Sequence, residues 1–226
     1  IRSIEFRGAD GLYINGKPFG DKLMGVNRHQ DYAYIGNAVP NNLHWLDVKK
    51  MRDAGFRIIR SAHYPQDPAF MDACDELGMF IIVATPGWQY WNPEPVFEER
   101  ILSDIRNMVR RDRNHPSVLL WEPVLNETAF PESFAQNAYR ATHEEYPAPG
   151  CYAAIDDKSK GAMGYDVVYT APKNEAFYRN AGKSCFTREY GDCVDDWNSH
   201  NSYSRVAREW GEEPQIRQAQ HYARKD

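Results

Sequence analysis

The stretch MFIIVA, residues 79–84, is the longest uninterrupted apolar run in the sequence. Such a short run cannot cross a bilayer, and it does not alternate with polar residues as a half-exposed strand would. A strand that is apolar throughout is typical of a parallel sheet with both faces covered. The run therefore predicts a buried parallel strand and not a membrane span.

Shorter runs of the same kind alternate with helical patterns on both sides of residues 79–84. Further strands are predicted over 22–27, 56–61, 117–121, 151–155, 166–170 and 184–187. Helical periodicity falls over 42–54, 68–77, 96–111, 131–145, 174–181 and about 204–225. This alternation predicts an α/β protein, and specifically a (β/α)8 TIM barrel that is truncated before its eighth strand.

The composition excludes several classes of protein. The 226 residues carry a formal net charge of −5 without a block of Lys or Arg, so nucleic acid is not an expected partner. Hydrophobic residues make up 42% of the chain, which is enough for a packed core and excludes disorder as the main state. The four cysteines are irregularly spaced and form no CxxC pair, so neither a zinc site nor a disulfide framework is predicted.

Polar and aromatic residues follow the predicted strands, where a barrel of this type carries its catalytic groups. These strand ends are 27–31, 60–65, 88–91, 126–127, 169 and 188–192. Glu127 and Glu189 follow the fourth and seventh strands, which lie across the barrel from each other, so their carboxyl groups can meet. Hydrolysis of a glycosidic bond needs such a pair. Position alone leaves open that both are solvated loop residues.

Five motifs give these positions a context. They are GVNRHQD at 25–31, RSAHYP at 60–65, CDELG at 74–78, NHPSVLLW at 114–121 followed by Asn126-Glu127, and EYG at 189–191. In this order they resemble glycoside hydrolase family 2, the β-galactosidase and β-glucuronidase family, over most of the chain. The resemblance implies a catalytic barrel behind N-terminal β-sandwich domains. Residues 1–20 are then expected to be the tail of the preceding sandwich with a lead-in hairpin, and 21–226 the barrel.

The resemblance also implies roles for single residues in a retaining mechanism. Glu127 is similar to the general acid/base of the family and Glu189 to its nucleophile. Asn126 matches the residue that binds the sugar 2-hydroxyl, and Arg60 the one that orients the nucleophile. The matched positions also include two sugar-contacting histidines and a tyrosine near the nucleophile, namely His29, His63 and Tyr169.

The aromatic segment after the third strand has two interpretations. Trp88, Tyr90 and Trp91 offer rings that can stack on sugar faces, while local packing of a long loop explains them nearly as well. Thr85-Pro86 stands where many relatives carry Asp-Glu, which in some β-galactosidases helps to hold magnesium. No metal site and no cofactor are therefore expected.

One departure from the family pattern concerns the acid/base. Relatives usually read Trp-Ser-Leu-Gly-Asn-Glu, whereas here Trp121 is followed by Glu-Pro-Val-Leu-Asn-Glu, one residue longer. The extra residue could bulge the strand end and re-aim Glu127, and it makes Glu122 a competitor for the role.

Several alternatives stay open. The chain could be a catalytically impaired carbohydrate-binding barrel, or, less favoured, a metal-dependent hydrolase that uses His29 and His63. β-Galactosides are favoured as substrates only because they are the commonest in the family, and a glucuronide would demand a cation for its carboxylate. A barrel without its eighth strand has two unpaired edges that permit oligomers, and this polypeptide alone is expected to turn over substrate poorly.

Overall fold

The computed structural model describes residues 2–189 and positions 216 and 220. The chain divides into two compact units, Ile1–Phe186 and Thr187–Asp226. The predicted helix over 204–225 lies outside the described residues except for positions 216 and 220, which are helical. In the described part of the chain, no helix is both long enough and apolar enough to span a membrane.

The first unit alternates strands and helices. In chain order its elements are β1 (Ile4–Phe6), β2 (Leu12–Ile14), β3 (Lys17–Pro18), β4 (Gly25–Arg28), α1 (Asn41–Asp53), β5 (Ile58–Ser61), α2 (Pro68–Leu77), β6 (Phe80–Ala84), α3 (Pro95–Asp112), β7 (Val118–Glu122), α4 (Glu132–Glu145), β8 (Ala154–Asp156), β9 (Val167–Tyr169), α5 (Glu175–Asn180) and β10 (Ser184–Phe186). Helix α2 illustrates the local signals, because the Asp67 side chain accepts from the Ala69 amide at its start and Gly78 ends it at φ 69°.

The strands from β4 onward are parallel and follow one another in chain order. Strands β4 to β7 form one sheet and β8 to β10 a second. A bridge between Trp121 and Ala153 joins β7 to the start of β8, with the Trp121 amide 2.9 Å from the Tyr152 carbonyl oxygen. The α/β prediction is confirmed. Among the residues described, no pairing closes the sheet on itself.

Alternate side chains of these strands face two different cores. Ile59, Ile81 and Val83 pack with the outer helices, whereas Ile58 and Ile82 belong to an inner cluster. Since neighbours in parallel register share a face, Arg60, Ile82, Ala84 and Glu122 lie on the inner side. The strands therefore carry charged residues on their inner face only near their carboxyl ends.

We call the two ends of this sheet its carboxyl end and its amino end, after the strand termini that lie there. At the amino end, the antiparallel sheet of β1, β2 and β3 packs Ile4 into the inner cluster. Arg2 fixes this sheet in place, because its Nη2 donates to the carbonyl oxygen of Val118 at 2.5 Å and its guanidinium lies 5.6 Å from the ring centroid of Phe80. Both partners are the first residues of their strands. The hairpin thus covers the amino end.

Two carboxylates complete the amino end by joining helices to strand starts. Asp75 on α2 lies 2.7 Å from His115 Nδ1 and accepts from the Ser117 amide at 2.8 Å. Asp166, ahead of β9, accepts from the Ala153 amide at 2.8 Å and lies 3.0 Å from His143 Nε2. Two of the five family motifs, CDELG and NHPSVLLW, therefore meet in a hydrogen-bonded contact remote from the strand carboxyl ends.

Candidate active site

A buried ion pair lies on the inner face at the carboxyl end. Arg60 on β5 donates from Nε to Glu122 Oε2 at 2.7 Å and from Nη2 to Glu122 Oε1 at 2.5 Å. Only 3% of Arg60 and 2% of Glu122 is exposed. The pair reaches across β6, whose inner-facing residue beside Glu122 is the small Ala84. Two parallel charge-assisted hydrogen bonds offset part of the desolvation cost of both charges.

The same guanidinium holds Asn126. Arg60 Nη2 also donates to Asn126 Oδ1 at 3.1 Å, and Asn126 Nδ2 lies 3.4 Å from His63 Nε2. Arginine has no acceptor, so the amide oxygen must face Arg60 and the amide NH2 must face the other way. Three predicted site residues, Arg60, His63 and Asn126, are thus brought together.

The extra residue before Asn126 is accommodated in the hydrophobic core. Pro123, Val124 and Leu125 are buried, and the last two pack with the cluster under α3 and α4. Asn126 resumes the register of the Ala84–Glu122 pair. It forms a parallel β-bridge with Trp88, and its carbonyl oxygen accepts from the Gln89 amide at 3.1 Å. The register shift of β7 lies lower in the strand, opposite Ile81 and Ile82. The strand end does not bulge at Glu122.

Two side chains of the neighbouring loop hold the carboxyl group of Glu127. Glu127 Oε2 accepts from Trp88 Nε1 at 3.0 Å and from Gln89 Nε2 at 2.7 Å. Glu127 and Gln89 both have left-handed backbone conformations, at φ 47° and φ 55°. This region costs a non-glycine residue about 1 kcal/mol, and such costs concentrate where a side chain must be aimed. The exposed Glu127 is therefore held in a defined position.

The three aromatic residues of this loop divide between the two interpretations. Trp91 packs on Phe97 and Phe134, with ring centroids 5.4 and 4.8 Å away, so local packing explains it. Tyr90 keeps 60% of its surface exposed and leans on Phe97. Trp88 is 51% exposed and lies beside His63, with the ring centroids 5.6 Å apart. Trp88 is the ring that combines exposure with contact to the site.

The remaining predicted residues of the first unit lie near the same end. The His29 ring is 5.5 Å from that of His63. Partial burial is the main cause that lowers the pKa of His29; Asp31 opposes this effect and the charge of Arg60 adds to it. A neutral imidazole can both donate and accept hydrogen bonds. Tyr169, the last residue of β9, is 2% exposed and belongs to the inner cluster.

Glu189 lies in the second unit, three residues beyond the end of β10 along the chain. Its Oε1 is 3.7 Å from Nη1 of the preceding Arg188, and both side chains are largely covered. The pairing of Glu189 with Glu127 and with Arg60 stays a prediction.

Sequence reasoning missed two features of the site. The sequence gives no sign of the role of Gln89, because this role depends on a left-handed backbone conformation that no residue preference signals. The sequence indicates Glu122 only as a competing acid, because a hydrogen-bond partner two strands away cannot be predicted from the sequence. The expected lack of a metal site also stays a prediction; within the described residues, no three His, Cys, Asp or Glu side chains cluster as metal ligands would.

The comparisons with known proteins agree on one family. The family model described as "Glycosyl hydrolases family 2, TIM barrel domain" matches residues 4–148. The β-galactosidase of Thermoanaerobacterium thermosulfurigenes is 39% identical over 140 residues, which is 61% of this chain and 19% of that protein. A putative β-glucuronidase of Formosa agariphila is 33% identical over 121 residues, covering 54% of this chain and 14% of its own length.

Solved structures show the same fold. A β-glucuronidase of Bacteroides uniformis superposes with a TM-score of 0.74 at 23% identity, covering 98% of this chain and 30% of that one. A β-glycosidase from Bacteroides vulgatus has a TM-score of 0.66 at 28% identity, over 82% of this chain and 25% of its own. The chain thus spans less than a third of each of these relatives.

Parallel strands in chain order, with a positioned glutamate, an asparagine and a buried arginine at or beyond their carboxyl ends, define an α/β domain whose polar groups lie where a barrel of this type carries its active site. The family match then identifies the chain more closely. It belongs to glycosyl hydrolases family 2, within the TIM barrel domain of that family.

Proposed function

We propose that this chain forms the catalytic domain of a retaining glycoside hydrolase that cleaves terminal β-glycosidic bonds by double displacement. Glu127 is the general acid/base and Glu189 the nucleophile. The observation that carries the proposal is the carboxyl group of Glu127, which is held by Trp88 and Gln89 at the carboxyl end of β7 beside Asn126. A carboxyl group aimed from a strand end is what proton transfer to a leaving oxygen requires.

The hydrogen bonds to Glu127 indicate which of its carboxyl oxygens transfers the proton. Oε2 accepts from the indole N–H of Trp88, which can only donate, so a proton on this carboxyl group is carried by Oε1. In the first step Oε1 gives that proton to the glycosidic oxygen while a Glu189 oxygen attacks the anomeric carbon, and the carbon–oxygen bond to the leaving group breaks. In the second step Glu127 takes a proton from water, which attacks the same carbon and releases Glu189.

The other residues bind the sugar. We assign the amide NH2 of Asn126 to the 2-hydroxyl, a contact that strengthens in the transition state. We assign His29 and His63 to the sugar hydroxyls, Arg60 to the orientation of the nucleophile, and Tyr169 to the surroundings of the nucleophile. Trp88 supplies an exposed ring against one face of the sugar.

The charges favour a neutral sugar, and we propose β-galactosides. Glu122 already balances the charge of Arg60, and Asp47 pairs with Arg28 at 2.8 Å. A sugar carboxylate therefore gains little from either arginine. The β-galactosidases that are 39% and 35% identical to this chain point in the same direction.

We further propose that the seven parallel strands are those of a (β/α)8 barrel whose eighth strand lies outside these residues. N-terminal β-sandwich domains precede the barrel, and 1–20 belongs to the connection between them. Tests of activity are therefore designed for the full-length protein.

The test compares Glu127→Ala and Glu189→Ala of the full-length protein on aryl β-galactosides, with the exposed Glu99→Ala as matched control. Loss of the acid/base is expected to lower kcat/KM by about 10²–10⁴ on a poor leaving group. With azide and a good leaving group, Glu127→Ala should give the β-galactosyl azide. Glu189→Ala should give the α-galactosyl azide, because azide then replaces the nucleophile.

Three results would contradict the proposal. They are full activity of either variant, inversion at the anomeric carbon by the wild type, and binding of galactosides without hydrolysis. The last would identify an impaired carbohydrate-binding barrel. Faster hydrolysis of an aryl β-glucuronide than of the β-galactoside would overturn the sugar assignment alone.

A further inference from the structure

We propose that Glu122 is a positioning residue that fixes, through Arg60, the direction in which Asn126 presents its amide NH2. This inference rests on the proposed function, because it assigns that NH2 to the sugar. The positioning depends on one buried carboxylate at the end of β7. It acts without any contact between Glu122 and the substrate.

Glu122 is not placed to exchange a proton with a substrate. Its two oxygens accept from Arg60 Nε and Nη2, and 2% of the residue is exposed. A carboxylate that accepts two parallel N–H bonds from a guanidinium fixes both the plane and the rotation of that guanidinium. Glu122 therefore acts as an anchor for Arg60 and does not compete with Glu127.

The anchored guanidinium has a second hydrogen on Nη2. That nitrogen also donates to Asn126 Oδ1 at 3.1 Å, while Nη1 lies 3.4 Å from Asn27 Oδ1. Because arginine only donates, an Asn126 amide turned by 180° would set NH2 against NH2. The fixed Arg60 thus excludes the turned amide. Asn126 keeps its NH2 directed away from Arg60, on the side of His63.

A neutral side chain at position 122 would weaken this control. In Glu122→Gln the amide retains one oxygen acceptor, but its NH2 replaces an oxygen that met an Arg60 donor. Arg60 then tilts or rotates to find another acceptor, and both orientations of Asn126 become accessible. The expected defect has two parts. A loss through the orientation of Glu189 by Arg60 is shared by all substrates, whereas a second loss is confined to the one sugar hydroxyl that Asn126 binds.

The experiment measures kcat/KM of the full-length protein on an aryl β-galactoside and on its 2-deoxy analogue. Glu122→Gln is expected to lower kcat/KM on the galactoside about tenfold more than on the 2-deoxy compound, as for one lost hydrogen bond. Asn126→Ala should show the same selective loss. The double variant should lose no further 2-hydroxyl preference, because both changes remove one contact.

Asp112→Asn is the matched control for removing a buried carboxylate. Asp112 is 1% exposed and accepts two hydrogen bonds from Arg111 on the outer helix α3. The Asp112→Asn substitution should change kcat/KM by the same factor on both substrates. If Glu122→Gln does not fold, as judged by thermal unfolding, Glu122→Asp retains the charge and repeats the comparison with a shortened reach.

The outcomes separate the two proposals. A wild type that hydrolyses neither compound would overturn the proposed function. A wild type that hydrolyses both, with a Glu122→Gln variant that loses equally on each, would overturn the positioning role and leave the function intact. If the Glu122→Gln and Asn126→Ala changes reduced the preference for the 2-hydroxyl substrate additively in the double variant, the positioning role would also be overturned.

Discussion

The two ends of the sheet use the same hydrogen-bonding chemistry for different purposes. At the amino end, Asp75 and Asp166 each join a helix to the start of a strand, and an apolar hairpin covers the interior. At the carboxyl end, Arg60 holds the buried amide of Asn126 and Trp88 holds the exposed carboxyl group of Glu127. Family motifs occur at both ends. A motif residue can therefore be required either for folding or for chemistry, and its contacts decide which.

The largest effect that tests this contrast is expected at the amino end. Asp75→Asn removes the charge that meets His115 and weakens the acceptor for the Ser117 amide, so the free energy of unfolding should fall by about 2 kcal/mol. Activity of the folded protein should not change. Chemical denaturation and kcat/KM check this, with the exposed Asp72→Asn on the same helix as control. A variant that keeps its stability and loses activity would break the contrast.

A smaller effect is expected at the carboxyl end. Trp88→Phe keeps an aromatic ring but removes the N–H that donates to Glu127, so kcat/KM should fall about tenfold. The free energy of unfolding should stay within about 0.5 kcal/mol of the wild-type value, because the Trp88 side chain is half exposed. Trp45→Phe on the outer helix α1 is the matched control. Equal losses in both variants would show that the indole N–H has no special role.

The smallest effect is a pH dependence at the amino end. Burial tends to raise the pKa of Asp166, but hydrogen bonds from His143 and the Ala153 amide outweigh it, and the pKa lies below its ordinary value. The unfolded chain therefore binds this proton more readily, so the stability that Asp166 contributes is lost as the pH falls through its native pKa. The free energy of unfolding, measured from pH 7 to pH 3, should depend less on pH in Asp166→Asn than in the wild type. The exposed Asp104→Asn should keep the wild-type dependence.

Much of the fold could be predicted from sequence because apolar runs and helical periodicity act locally. The strand predicted over 79–84 lies at Phe80–Ala84, and the helix predicted over 68–77 has those bounds. The first strand differs, since pairing begins at Gly25 and not at residue 22. A Cβ at Gly25 would lie 2.4 Å from the Ile58 carbonyl oxygen, so the close approach that starts this pairing requires glycine.

The site was predicted less completely because its geometry depends on residues far apart in the chain. The effect of the extra residue after Trp121 could not be predicted; Val124 and Leu125 are buried under the helices, and Asn126 pairs with Trp88 in the register of the Ala84–Glu122 pair. Periodicity gives no sign of such a pairing. The Arg60–Glu122 contact joins residues 62 positions apart and needs the register of three strands to be known.

The small residue beneath that ion pair limits which substitutions this domain can accept. Because Arg60 and Glu122 meet over Ala84, a bulkier side chain at 84 would wedge them apart, and a shorter acid at 122 would not span the strand. A change at any one of these three positions is therefore expected to disturb the contact between the other two. Protein engineers who diversify this domain should therefore randomise 60, 84 and 122 jointly.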